Sequence, residues 1–118
     1  MSIKEINSKI AVIINRNGMG DAPLELSHTL VKNYLTLIHD EERYPAYICL
    51  YGDGVKLTCE GSHVIKELRA LEAKGAKIII CKTCLVFNNL IDKVKVGSVG
   101  TMLDIIDIQH NSTKIINL

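Results

Sequence analysis

The sequence has almost no excess charge and no long apolar run, and each absence excludes a class of function. Its 118 residues carry 14 Lys and Arg against 13 Asp and Glu, which gives a formal charge of +1. Basic residues form no stripe that could follow a phosphate backbone, so we expect no nucleic-acid partner. No apolar run approaches the roughly 20 residues of a membrane-spanning helix, so we expect no membrane partner.

An export signal and a disulfide framework are also missing. The stretch Met1-Ser2-Ile3-Lys4-Glu5-Ile6 includes an acid and lacks the apolar segment of a signal peptide. Four cysteines in a chain whose residues are 47% hydrophobic do not indicate a disulfide-dependent fold. We therefore expect a cytoplasmic protein with reduced thiols, in which a close cysteine pair is redox-active or metal-binding.

What the sequence does contain is a regular alternation of strand-like and helix-like segments, without repeats, low-complexity tracts or a domain linker. Apolar β-branched runs predict buried strands, and apolar residues at helical spacing predict the helices between them. We expect one α/β domain over residues 1–118, with a mainly parallel sheet of about five strands and helices on both faces. The clearest predicted strands are 10–14, 46–51, 77–80 and 114–118, and the predicted helices are 21–39, 62–74, 98–109 and one that begins near residue 85.

Three unusual loops directly follow three of these strands. They comprise residues 17–21, 52–54 and 81–84. Parallel strands end at the same edge of their sheet, and ligands of such sheets bind beyond that edge. The three loops are therefore expected to form one site.

The third loop, Cys81-Lys82-Thr83-Cys84, is the strongest chemical signal in the chain. A thiol at a strand-to-helix turn faces free backbone N–H groups and the positive end of a helix dipole, which both favour the thiolate. Lys82 adds a cation. Cys81 and Cys84 are therefore the candidate catalytic residues, and inert core thiols are the alternative. A structural zinc site needs four ligands, and no second matching pair is present, so we expect no metal.

The glycine loop is a weaker signal. Its backbone N–H groups could bind an anion at a helix start, but it lacks the third glycine of a dinucleotide fingerprint and the lysine of a phosphate-binding loop. We favour a tight turn followed by a helix cap at Asp21, and we expect no cofactor. The residues that remain candidates for binding a substrate or an anion are Gly18, Gly20, Asp21, Gly54, Lys82 and Thr83.

Taken together, these segments resemble the DsrE family of small sulfur-handling proteins. The similarity is greatest to the DsrE-like domain at the C-terminus of YedF-type proteins, which are linked by name to selenium metabolism. It extends from about Lys9 to the end of the chain. The segments that carry it are Gly18–Asp21, Gly54–Ser62, Leu68–Gly75, Cys81–Leu85 and Val96–Gly97.

The resemblance implies a three-layer α/β fold and an oligomer of identical or related chains. In sulfur-relay members a cysteine after this strand carries a persulfide and passes the sulfur to a partner protein. Cys81 matches that position, and Cys84 matches a second cysteine found in some branches. The implied function is intracellular trafficking of sulfur or selenium, as a carrier or sulfurtransferase with a donor or acceptor protein. A thiol–disulfide oxidoreductase and a non-catalytic binding or regulatory subunit stay open as alternatives.

Overall fold

A computed structural model describes residues 7–118, so the segment Met1–Ile6, which bears on the export prediction, lies outside the described residues. Strands and helices alternate along the chain, as predicted. No helix in this range has the length and apolar character needed to cross a bilayer. The elements are β1 (Asn7–Ile14), α1 (Leu24–Asp40), β2 (Pro45–Leu50), a 3-10 segment (Gly52–Thr58), α2 (Ile65–Ala73), β3 (Lys77–Cys81), α3 (Lys82–Phe87), β4 (Ser98–Gly100), α4 (Met102–Asn111) and β5 (Lys114–Asn117).

The strands form one all-parallel sheet in the order β4-β3-β2-β1-β5. Ile13 of β1 pairs with Cys49 of β2, and Cys49 pairs with Ile79 of β3. Consecutive residues 11–14 of β1 are each at most 1% exposed. A strand can bury every side chain in this way only when both faces of its sheet are covered. The predicted α/β fold with an essentially parallel sheet is therefore confirmed.

The order of the strands explains how both faces are covered. From β1 to β4 each connection moves one strand in the same direction, and the connection from β4 to β5 then crosses the sheet in the opposite direction. Right-handed crossovers place α1 and α2 on one face and α4 on the other. Accordingly, α1 packs against α2, and α4 packs against β1 and β3. The direction of the connections that leave the strands reverses between β3 and β4, whose ends are marked by the pairing of Cys81 with Gly100, and ligands of such sheets bind at this kind of position.

The inner faces of α1 and α2 follow the predicted periodicity. Val31, Leu35 and Ile38 of α1 are buried at intervals of four and three residues. Leu68 and Leu71 of α2 are buried three residues apart. This spacing places each set on one side of its helix, and that side contacts the sheet and the neighbouring helix.

The predicted starts of these two helices were wrong. Asp21 does not cap α1, which begins at Leu24 after Pro23 at a φ of −52°. Proline has no N–H to donate and its fixed φ suits the entry to a helix, so the chain turns there rather than at Asp21. Ser62 likewise does not cap α2, because the N-cap of this helix is Val64. The Ser62 Oγ instead accepts a hydrogen bond from the Val64 N–H at 3.2 Å, in the turn before the helix.

The predicted helix 98–109 was wrong at its beginning. Residues 98–100 form the edge strand β4, and α4 starts at Met102 after a capping box made by Thr101 and Asp104. Gly97, at a φ of +86°, separates this strand from the preceding loop, and a Cβ there would lie 2.7 Å from Cγ2 of Ile78. The close approach of β4 to β3 therefore depends on glycine, a constraint that apolar periodicity does not reveal.

The buried side of α4 also differs from the prediction. Val99, Met102, Leu103 and Ile106 recur at helical spacing in the sequence, which favours a shared inner face, but all four are more than 40% exposed. Ile105 is the residue that is fully buried. An apolar strip consequently lies on the surface of a single chain.

Candidate functional site

The two cysteines of the Cys81–Cys84 turn are in direct contact. Cys81 ends β3 and is the N-cap of α3, and Cys84 lies in the first turn of that helix. Residues three apart on a helix lie on the same side, which brings the two sulfurs to 3.1 Å with Cys84 Sγ donating a hydrogen bond to Cys81 Sγ. Both thiols are free. Their separation exceeds the length of a disulfide bond by only about 1 Å.

The two thiols differ in access. Cys81 is 1% exposed, whereas Cys84 is half-buried. A bulky reagent therefore reaches the Cys84 sulfur before it reaches the Cys81 sulfur. Lys82 and Thr83, between them, are exposed in the first turn of α3.

A backbone N–H group does contact a sulfur, but not in the expected way. The sequence predicted that the N–H groups of the following helix would face Cys81, yet the Cys81 side chain makes no capping hydrogen bond. Instead, the Gly52 N–H donates to Cys84 Sγ at 3.1 Å. Gly52 begins the 3-10 segment at a φ of +57°, a conformation that favours glycine. The glycine-rich turn after β2 was the only sequence signal for this contact.

The protonation of Cys84 follows from its surroundings. Burial raises the pKa of the Cys84 thiol, as does its hydrogen bond to Cys81, while the Gly52 N–H opposes this by lowering it. Cys84 therefore stays a thiol at neutral pH and can act as the hydrogen-bond donor of the pair. The Cys84 thiol thus places a proton donor directly against the Cys81 sulfur.

The segments that follow β1, β2 and β3 meet at one edge of the sheet. The Tyr51 N–H donates to the Ile14 carbonyl oxygen at 3.2 Å, which joins the beginning of the second loop to the end of β1. Gly54 is buried against the same strand end, and a Cβ at this position would collide with the Ile14 carbonyl. The Gly52–Cys84 hydrogen bond then joins the second loop to the third.

The glycine loop itself is folded against α1. The Gly18 N–H donates to the Arg16 carbonyl at 2.8 Å, and the Met19 N–H donates to the Ser27 carbonyl at 3.0 Å. A Cβ at Gly18 would collide with the Ser27 side chain, and the Ser27 hydroxyl also donates to the Met19 carbonyl at 3.1 Å. These contacts use two of the N–H groups that an anion would need. Gly20 lies beside Leu30 of α1, and Asp21 is exposed.

The other two cysteines lie in the core. Cys49 is fully buried in β2, and burial raises the pKa of its thiol to about 11. Cys59 is 1% exposed and donates a hydrogen bond to the Val55 carbonyl at 3.3 Å, and burial also raises its pKa. Over residues 7–118, no group of three or more His, Cys, Asp and Glu side chains is arranged to hold a metal ion.

The family of the chain follows from comparison with known proteins. The model of the DsrE/DsrF-like family matches residues 8–118, so the chain belongs to the DsrE/DsrF-like family. This family is generally linked to sulfur relay. A search of curated proteins finds no significant match.

Solved structures share the fold across nearly the whole chain. The YchN protein from E. coli is 22% identical, with a TM-score of 0.67 over 95% of this chain and 100% of its own. MTH1491 from Methanobacterium thermoautotrophicum is 16% identical, with a TM-score of 0.66 over 95% of this chain and 100% of its own. BT1422 from Bacteroides thetaiotaomicron is 16% identical, with a TM-score of 0.68 over 93% of this chain and 95% of its own. The last two are described as proteins of unknown function, and these similarities define the fold.

Proposed function

We propose that this protein carries sulfane sulfur, or selenium in the same oxidation state, as a persulfide on Cys81 and transfers it to an acceptor in the reducing cytoplasm. The observation that carries the proposal is the 3.1 Å hydrogen bond from the Cys84 thiol to the Cys81 sulfur. It supplies a proton donor to a cysteine at the end of a parallel strand, in a family linked to sulfur relay. Cys81 and Cys84 remain the proposed site residues.

Loading follows from displacement at sulfur. The Cys81 thiolate attacks the outer sulfur of a donor persulfide, R–S–SH, and forms the bond of the new persulfide, Cys81–S–SH. The sulfur–sulfur bond of the donor breaks, and the donor leaves as the thiolate RS⁻, which takes a proton from solvent. No external oxidant or reductant is needed, because the sulfane sulfur moves between two thiols.

Burial sets a condition on this step. Cys81 is 1% exposed and its sulfur lies 3.1 Å from the Cys84 sulfur, so little free space surrounds the atom that would receive the added sulfur. The Cys84 side chain must therefore rotate to another staggered position before or during loading. Because Cys84 is half-buried, it can turn toward solvent at the cost of its hydrogen bonds to Gly52 and Cys81. Cys84 would then control access to the carrier residue.

The 3.1 Å distance between the Cys81 and Cys84 sulfurs also favours a second candidate function, thiol–disulfide exchange. Once Cys81 carries a persulfide, Cys84 can give up its proton and attack the inner sulfur, which forms the Cys81–Cys84 disulfide and releases hydrosulfide. A protein that cycles between dithiol and disulfide would use the same pair without storing sulfur.

Intact-protein mass spectrometry after exposure to a persulfide donor distinguishes the two functions. A carrier gains the mass of one sulfur atom and loses it when an acceptor thiol is added. A dithiol oxidoreductase loses two hydrogens under the same treatment. A mass that changes in neither way would contradict both functions.

A further inference from the structure

A cavity of about 600 Å³ opens at the same edge of the sheet as the cysteine pair. It is lined from three directions: by Asn17 after β1, by residues between β2 and α2, and by Asn88 at the end of α3. The Asn88 side-chain nitrogen donates to the Cys84 carbonyl at 2.8 Å, so the helix that carries Cys84 continues directly into the cavity wall. The proposed sulfur chemistry does not use the other side chains of this cavity.

Two histidines form part of its wall. The rings of His28 and His63 are stacked, with centroids 4.3 Å apart and planes inclined by 29°. His63 Nε2 lies 2.9 Å from the His28 carbonyl oxygen. Because a carbonyl can only accept, Nε2 of His63 carries a proton and donates it to this contact.

His28 contributes a buried ring nitrogen to this wall. Its Nε2 is buried and has no hydrogen-bond partner among the described residues. Burial and the neighbouring His63 lower the pKa of His28, and the Asn17 backbone opposes this by raising it, so the ring is neutral at neutral pH. A buried polar nitrogen of this kind is stabilised when a ligand supplies a hydrogen-bond partner.

Charges of both signs complete the lining. Lys56 lies on the wall and pairs with Asp53 at 3.2 Å, and Glu60 pairs with Lys93 at 3.7 Å. Both are exposed ion pairs, which are weak and readily exchanged for another partner. The cavity lining thus includes a cation, Lys56, a carboxylate, Glu60, and the two stacked imidazole rings.

We infer that this cavity binds a zwitterionic amino acid or short peptide. Lys56 receives its carboxylate, and Glu60 with the His28–His63 pair receives its ammonium group. Thiol-bearing members of this class, the persulfides of cysteine and of glutathione, are small enough for the cavity and carry the sulfur that Cys81 would accept. In naming the sulfur donor, the inference rests on the proposed function; the binding of the amino-acid group does not.

S-methylglutathione is a suitable probe, because its capped sulfur cannot react with either cysteine. Titrated into the whole protein and followed by NMR of the histidine rings, it is expected to shift the His28 and His63 signals to saturation. The signals of His39 and His110 outside the cavity should not move. Lys56→Met and His63→Ala should each weaken binding by about tenfold, the loss of one hydrogen-bonded or charged contact. Lys114→Met and His110→Ala, at residues that do not line the cavity, should leave the affinity unchanged.

A Cys81→Ser, Cys84→Ser double variant separates the two proposals. It should bind the probe with the affinity of the wild type and load no sulfur. Absence of a saturable shift in the wild-type protein overturns the inference, as does binding that neither Lys56→Met nor His63→Ala weakens. Normal probe binding by a wild-type protein that never loads sulfur would support the cavity and overturn the proposed function alone.

Discussion

The Gly52 amide nitrogen and the Cys84 sulfur lie 3.1 Å apart, although 32 positions separate them in sequence. This contact joins the end of β2 to the first turn of α3 and holds the Cys84 sulfur beside Cys81. A backbone N–H group needs no particular side chain, but the left-handed backbone of Gly52 favours glycine, and a Cβ there would lie 3.0 Å from the Asn15 carbonyl oxygen. The geometry of the cysteine pair therefore depends on a glycine in another loop.

Gly52→Ala should lower the free energy of unfolding by about 2 kcal/mol, because the left-handed conformation disfavours alanine and the new Cβ would approach the Asn15 carbonyl oxygen. Gly61→Ala is the matched control, since Gly61 also has a positive φ but has nothing within 4 Å of the added carbon. Urea denaturation measures the free energy of unfolding of both variants. If both variants lose the same free energy, the contact of the added carbon with the Asn15 carbonyl oxygen contributes nothing to the destabilisation.

A bulky maleimide should label Cys84 first, because Cys81 is 1% exposed and Cys84 is half-buried. Cys84→Ala should then speed labelling of Cys81 by removing the sulfur that lies against it. Site-resolved peptide mass spectrometry over a time course checks both statements. Cys49 and Cys59 provide the internal control and should remain the slowest. Fast labelling of Cys81 in the wild-type protein would contradict the gating role given to Cys84.

Cys81→Ser should abolish sulfur loading, whereas Cys84→Ser should keep loading and lengthen the life of the adduct. The reason is that the Cys84 thiol can attack the persulfide and expel hydrosulfide. Persulfide occupancy over time, by intact mass, is the measurement, with Cys49→Ala in the core as the control that should load like the wild type. Loading by Cys81→Ser but not by Cys84→Ser would reverse the assignment, and equal loading by both would exclude the pair as the site.

The free energy of unfolding should fall as the pH rises from about 9 to about 11. Burial raises the pKa of Cys49 from 9.0 to about 11. Over this window the unfolded chain releases the Cys49 proton while the folded chain retains it, so alkali favours unfolding. The contribution is roughly 3 kcal/mol, from about 1.4 kcal/mol for each pKa unit. Cys49→Ala should show a shallower fall than the wild type; parallel pH profiles would contradict the effect of burial.

We also expect the chain to self-associate. Met102, Leu103 and Ile106 of α4 are 41%, 66% and 42% exposed, and a second chain would cover them. Sedimentation velocity at micromolar concentration should detect a species larger than the monomer, and Leu103→Glu should shift the distribution toward the monomer. Lys66→Glu, at an exposed position on α2, is the control and should leave the sedimentation distribution unchanged. A monomeric wild type would refute this expectation and leave the sulfur chemistry unaffected.

Much of this protein was predictable from its sequence, because the relevant information is local. The β-branched run at residues 10–14 predicted a strand buried on both faces, and the alternation of elements predicted a parallel sheet. The spacing of Cys81 and Cys84 after β3 is enough to bring their sulfurs together once a helix begins at Lys82. Periodicity and i, i+3 geometry depend only on neighbouring residues, so a single sequence reveals them.

Tertiary structure alone decided the rest. Nothing near Cys81 in the sequence indicates that it is buried while Cys84 is accessible, or that the N–H group on Cys84 comes from Gly52. The apolar residues of α4 look alike in sequence, yet only Ile105 is buried, because the position of the helix against β1 and β3 determines which side faces the sheet. Burial and long-range contacts depend on which elements become neighbours in space, and local sequence patterns do not specify that arrangement.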